Sequence, residues 1–146
     1  MQTSLAVLFI RDLDRLITEL ECYPDEASLW VLPEGIGNSA GTLALHLCGN
    51  LQHFIGAVLC QTGYVRKREE EFSLRDVPRS HLIVEINKTK DLISSQLNEN
   101  IQLDADYPSG FHPMGDMSTG QFLAHLYGHL NYHLGQINYH RRLALS

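Results

Sequence analysis

The stretch Ser118 to Arg142, STGQFLAHLYGHLNYHLGQINYHRR, decides how the chain folds. It holds no proline, and Phe122, Leu126, Leu130 and Ile137, with Leu143 beyond, recur at helical spacing. Period-two alternation is not sustained, so a strand is disfavoured. The helix starts after Ser118 or Thr119 and runs to about Arg142, where Arg141 and Arg142 suit the negative end of its dipole.

Working outward, prolines at 24, 33, 78, 108 and 113 break the chain into further permitted helices, because an interior proline removes a hydrogen bond and clashes with the preceding turn. Ser4 to about Glu21 carries Leu5, Leu8, Phe9, Leu13, Leu16, Ile17 and Leu20 at helical steps. Ser39 or Thr42 begins a second helix that reaches Cys60, with Leu43, Leu47, Asn50, Leu51, Phe54 and Val58 as its stripe. Its Gly49 and Gly56 lower helix propensity but allow a neighbour to approach closely. Pro78 to about Asn98 forms another, with Pro78 in the first helical position. Residues 24–38 and 99–117 read as loops, and the mixed-charge run 61–76 reads as a solvated loop. Four helices of about 18–24 residues span about 27–36 Å each. The expectation is an all-α four-helix bundle, one domain over 1–146.

Composition agrees. Eleven Lys and Arg against seventeen Asp and Glu give a net charge of −6, and 44% of residues are hydrophobic. The length fits one core. The acidic balance argues against a nucleic-acid partner, which needs a cationic face. No run of 18 apolar residues occurs, so no membrane span is expected. Cys22, Cys48 and Cys60 form no CxxC, and the absence of a basic-then-apolar leader points to reduced thiols in the cytoplasm.

Eight histidines stand out: His46, His53, His81, His112, His125, His129, His133 and His140. His125, His129 and His133 lie one turn apart on one side of the last helix. Two imidazoles at i, i+4 grip one metal ion, and the pair is either His129 with His133 or His125 with His129. His46, on the inward stripe of the second helix, is the third ligand that such a pair needs. Three neutral histidines leave coordination positions open, the pattern of a reactive site. His53 is placed to support a ligand, to contact substrate or only to lie on the helix surface, whereas His81, His112 and His140 read as bystanders. HExxH, ExxH, GxSxG, GxGxxG and P-loop motifs are absent, which disfavours zincin, di-iron and nucleotide chemistry.

The segment Asn38-Ser39-Ala40-Gly41-Thr42-Leu43-Ala44-Leu45-His46-Leu47, with His129-Leu130-Asn131-Tyr132-His133-Leu134-Gly135-Gln136-Ile137 some eighty residues later, resembles the DinB-like superfamily, which includes the YfiT-type metal-dependent hydrolases. Val77-Pro78-Arg79 is similar too, and the resemblance covers essentially the whole chain. It implies an up-down-down-up four-helix bundle, often a homodimer, with a divalent zinc or nickel ion on His46, His129 and His133. It also implies metal-dependent transfer of a low-molecular-weight thiol, or hydrolysis. Asn50, one turn past His46, is placed to orient substrate, and Gln136 to brace a ligand imidazole. His125 either neighbours the metal or only lines the bundle. No Asp or Glu presents itself as a general base, which tilts the expectation to thiol transfer. The competing reading is a non-catalytic bundle, a structural metal protein or a stress-related binding module.

Overall fold

Helix α1, Ser4–Glu21, begins where Thr3 Oγ1 accepts the Ala6 N–H at 3.1 Å. It buries Phe9, Leu13, Leu16 and Leu20 of the stripe read from the sequence, together with Ala6 and Asp12, while Leu5, Leu8 and Ile17 are only partly buried. The computed structural model describes residues 3–108 and 115–145. Among these the chain is helical, with no β-strand. His112 lies outside the described residues.

A short 3₁₀ turn, Ala27–Trp30, precedes α2, Ala40–Leu51. Ser39 Oγ caps α2 by accepting the Thr42 N–H at 3.2 Å. Eleven of the twelve α2 residues are buried, so this is the central helix. Beyond Leu51 the winding loosens into a π-helix, Gln52–Leu59, where the sequence suggests one regular helix to Cys60. That widening frees backbone acceptors, and the Tyr107 hydroxyl donates to the Phe54 carbonyl at 2.8 Å. By length and composition alone Ala40–Leu59 is long and apolar enough to cross a membrane, and 61% of the window is buried inside the fold. A core position accounts for that apolarity.

The mixed-charge run is not a solvated loop. It contains a short helix, α3, Arg68–Ser73, making five α-helices among the described residues where the sequence suggests four. Glu71 of α3 is buried against α2. Helix α4, Arg79–Gln96, starts just after Pro78 and buries Leu82, Ile86, Thr89 and Ile93. Helix α5, Thr119–Ala144, opens with a reciprocal capping box. Ser118 Oγ accepts the Gln121 N–H at 3.1 Å, and Gln121 Oε1 accepts the Ser118 N–H at 3.0 Å. Leu143, expected on its packed face, is half exposed. Both α1 and α2 pack against α4 and against α5.

Polar anchors tie α1 to α5. Asp12 is fully buried, paired to Arg11 at 2.9 Å and Arg15 at 3.2 Å, and accepts from Tyr127 and Asn131. Burial pushes its carboxyl up, but the hydrogen bonds from Arg11, Tyr127 and Asn131 prevail and hold it below the usual range. A lowered native pKa stabilises the fold above the unfolded-state value of about 3.9, and the gain is lost as pH falls through the native value. Asp12→Asn is therefore expected to cost about 1–3 kcal/mol at pH 7 and to flatten the acid limb of stability below about pH 4. Urea unfolding at several pH values checks this, and an unchanged acid limb would refute it. His140 is a second anchor. Its Nε2 faces the Val31 carbonyl at 2.7 Å, and Nδ1 faces the Tyr23 hydroxyl at 2.6 Å. Read as a bystander, it is a buried core histidine.

Candidate metal centre

His46 from α2 and His129 and His133 from α5 meet where the two helices pack. Their positions follow from helix phase. His46 lies one residue short of the fully buried Leu47, and His129 and His133 flank the buried Leu130 and Leu134. His46 Nε2 lies 3.2 Å from His129 Nε2, and His133 Nε2 lies 3.1 Å from the same atom. The three ligand atoms fall within 4.8 Å of one another.

The far nitrogens settle which tautomers face inward. His46 Nδ1 lies 3.1 Å from Glu71 Oε1. An ionised carboxylate only accepts, so Nδ1 carries the proton and Nε2 presents its lone pair. His133 Nδ1 lies 2.7 Å from Gln136 Oε1, and the Gln136 amide nitrogen donates to the Tyr132 hydroxyl at 3.3 Å, which fixes the amide orientation. His133 Nε2 is thereby also a bare acceptor. Two lone pairs thus converge on His129 Nε2, whose single proton satisfies only one. His129 Nδ1 is buried with no partner. A divalent cation resolves the crowding. Nitrogens bound at about 2.0–2.1 Å to one ion stand about 2.9–3.4 Å apart at right or tetrahedral angles, the spacing seen. The donor set therefore fits a first-row divalent ion.

Electrostatics keep the lone pairs free. Burial, then the neighbouring His133 and His46, press the His129 pKa down to about 4. Burial also lowers His133, against the opposing bond to Gln136. Both rings are neutral at pH 7, the ligating form.

Glu71 is the functional residue that sequence reasoning missed. Arg66 Nε and Nη2 donate to its two oxygens at 2.8 and 2.9 Å, so the carboxylate bridges an arginine and a ligand histidine. Burial raises its pKa, but the bonds from His46 and Arg66 outweigh that and keep it ionised. Gly49 makes the room. A Cβ there would sit 1.9 Å from Glu71 Oε2. The only trace in the sequence was a small residue in mid-helix and a glutamate among six consecutive charges.

The other candidates divide. Asn50 lines the cleft beside the triad and is buried, with its Oδ1 unpartnered. Gln136 braces His133. His125 is exposed on the cleft wall, stacked on Phe122 at 5.7 Å, and does not belong to the three-nitrogen cluster. His53 is half-buried and packs edge-on against Phe54 at 4.8 Å, also outside the cluster. His81 is exposed. Comparison of the chain with family models, with curated proteins and with solved structures finds no match.

Proposed function

We propose that this chain is a DinB-like domain that binds one divalent cation, zinc or nickel, on His46, His129 and His133 and transfers a low-molecular-weight thiol to an electrophilic substrate. One observation carries this reading: His46 Nε2 and His133 Nε2 approach His129 Nε2 at 3.2 and 3.1 Å while Glu71 and Gln136 engage the outer nitrogens of two rings. The packing of α1 and α2 against both α4 and α5 supports a four-membered bundle. In it α3 is an accessory turn, and connections 61–76 and 99–117 are the crossovers of an up-down-down-up path. Exposed Tyr132, Tyr139 and Leu143 along α5 supply apolar surface for a homodimer.

A divalent ion held by neutral imidazoles supplies Lewis acidity that lowers the pKa of a thiol at an open coordination position. The chain's residues do the rest. Glu71 and Gln136 orient two imidazoles, and burial keeps His129 unprotonated. Glu71 is committed to His46 and Arg66, and no carboxylate lines the cleft among the described residues. With no carboxylate base at hand, a thiol is the better nucleophile, since it ionises more readily than water. The chain's own thiols are unsuited: none of Cys22, Cys48 and Cys60 lines the cleft, and burial pushes Cys48 up to about 12 and raises Cys60 as well. The nucleophile is therefore an external small thiol.

The test is metal analysis of protein purified without a histidine tag, then a panel of glutathione, bacillithiol and mycothiol against 1-chloro-2,4-dinitrobenzene and related electrophiles. One ion per chain with chelator-sensitive thiol consumption is expected. An ion with no turnover would favour a binding module, and no ion would overturn the metal reading.

A further inference from the structure

The cleft lined by His46 and His129 of the triad has a volume of about 250 Å³, below the range of drug-sized pockets, so its occupant is small. Its lining combines two chemistries. Phe54, Phe122 and His125 supply aromatic surface. Arg66, whose guanidinium lies 5.9 Å over the Phe54 ring, and Arg68 supply positive charge, with no acidic residue lining the cleft among the described residues. Arg66 is neutralised by Glu71. Arg68 is different: it pairs with no carboxylate among the described residues and rests 5.1 Å over the Phe72 ring. Asn50 adds an independent observation. It is only 7% exposed, lines the same cleft, and its Oδ1 accepts from nothing. A buried acceptor left unpaired costs about 1–3 kcal/mol, which a ligand donor would recover.

Resting on the metal-centre reading, we infer that this cleft takes a small aromatic or unsaturated hydroxy- or amino-carboxylate. Its acid group pairs with Arg68, its O–H or N–H donates to Asn50 Oδ1, and its flat body packs on Phe54 and Phe122. A net charge of −6 gives the protein as a whole no attraction for anions, so selection comes from Arg68 locally. The electrophilic substrate is thereby an acid.

Three probes of matched shape separate the contacts: racemic mandelate, phenylacetate without the hydroxyl, and mandelamide without the charge. Each is titrated into full-length protein, zinc-loaded and metal-free, followed by calorimetry and by the NMR signals of the Asn50 amide and the Arg68 Nε–H. Mandelate is expected to bind about tenfold tighter than either analogue and to shift both signals. Arg68→Gln should weaken mandelate about tenfold and leave mandelamide unchanged. Asn50→Ala should bring mandelate to the phenylacetate level. If that variant does not fold, the mandelate–phenylacetate difference on the parent protein decides the same contact. Equal binding of the three probes, no binding, or mandelate affinity indifferent to both substitutions would overturn the inference. The last result would leave simple chelation by zinc. Failure of zinc to bind would instead defeat the metal reading, and the ranking on metal-free protein would still decide this one.

Discussion

His129→Ala protein is expected to emerge from tag-free purification without stoichiometric divalent metal, while His125→Ala protein retains it. His129 Nε2 is the atom that both other ligand nitrogens approach, at 3.2 and 3.1 Å. Removing a supporting partner of a metal ligand costs about 10–100-fold in affinity, and removing the central ligand costs more, about 100-fold at least. His125 stacks on Phe122 instead, outside the cluster, so its loss leaves three nitrogens in place. The core around α5 is apolar, and the helical circular dichroism of both variants is expected to match the parent. His46→Ala should also lose metal. Metal retained at full stoichiometry in both His129→Ala and His46→Ala would end the idea of a shared site.

Gly49→Ala is expected to destabilise the protein and weaken metal binding, although alanine is intrinsically the better helix former by about 1 kcal/mol. The new Cβ would fall 1.9 Å from Glu71 Oε2, so the carboxylate must leave. His46 then loses the acceptor that fixes its tautomer, and Arg66, only 11% exposed, loses both carboxylate bonds. Breaking a buried pair costs about 3–5 kcal/mol. Partial escape of Arg66 to solvent reduces this to a net loss of about 1–3 kcal/mol. Metal affinity should fall about 10–100-fold. Gly128→Ala is the control. Nothing lies within 4 Å of its added Cβ, so it should gain up to about 1 kcal/mol with unchanged metal affinity. Urea unfolding and a calorimetric zinc titration measure both. A stabilised Gly49→Ala with normal affinity would show that Glu71 does not brace the site.

These two variants mark what the sequence could and could not disclose. Helix α1 and helix α5 were readable because a long apolar stripe has one period and one packed face. His129 and His133 were readable as a pair because four residues make about one turn, though phase alone did not choose between His133 and His125. The fold makes that choice: His133 Nε2 lies 3.1 Å from His129 Nε2, whereas His125 stacks on Phe122. Glu71 was hidden because a buried glutamate and a solvated one have the same local sequence. Only its partners, Arg66 five residues before it and His46 twenty-five before it, distinguish them. His140 misled for the opposite reason: it lies near a helix end, yet the 31–38 loop folds over it. The π-winding left no mark in an apolar stripe too short to reveal its period.

That loosened winding also governs which changes of length the chain can survive. Deleting any one residue between Gln52 and Leu59 would let the segment tighten into an ordinary α-helix. The tightened turn would bring an intrahelical N–H onto the Phe54 carbonyl, which would leave the hydroxyl of Tyr107. Related chains are therefore expected to keep the residue count from His46 to Cys60 fixed, because a deletion in the wide turn would release the cleft-lining Phe54 from its anchor on Tyr107.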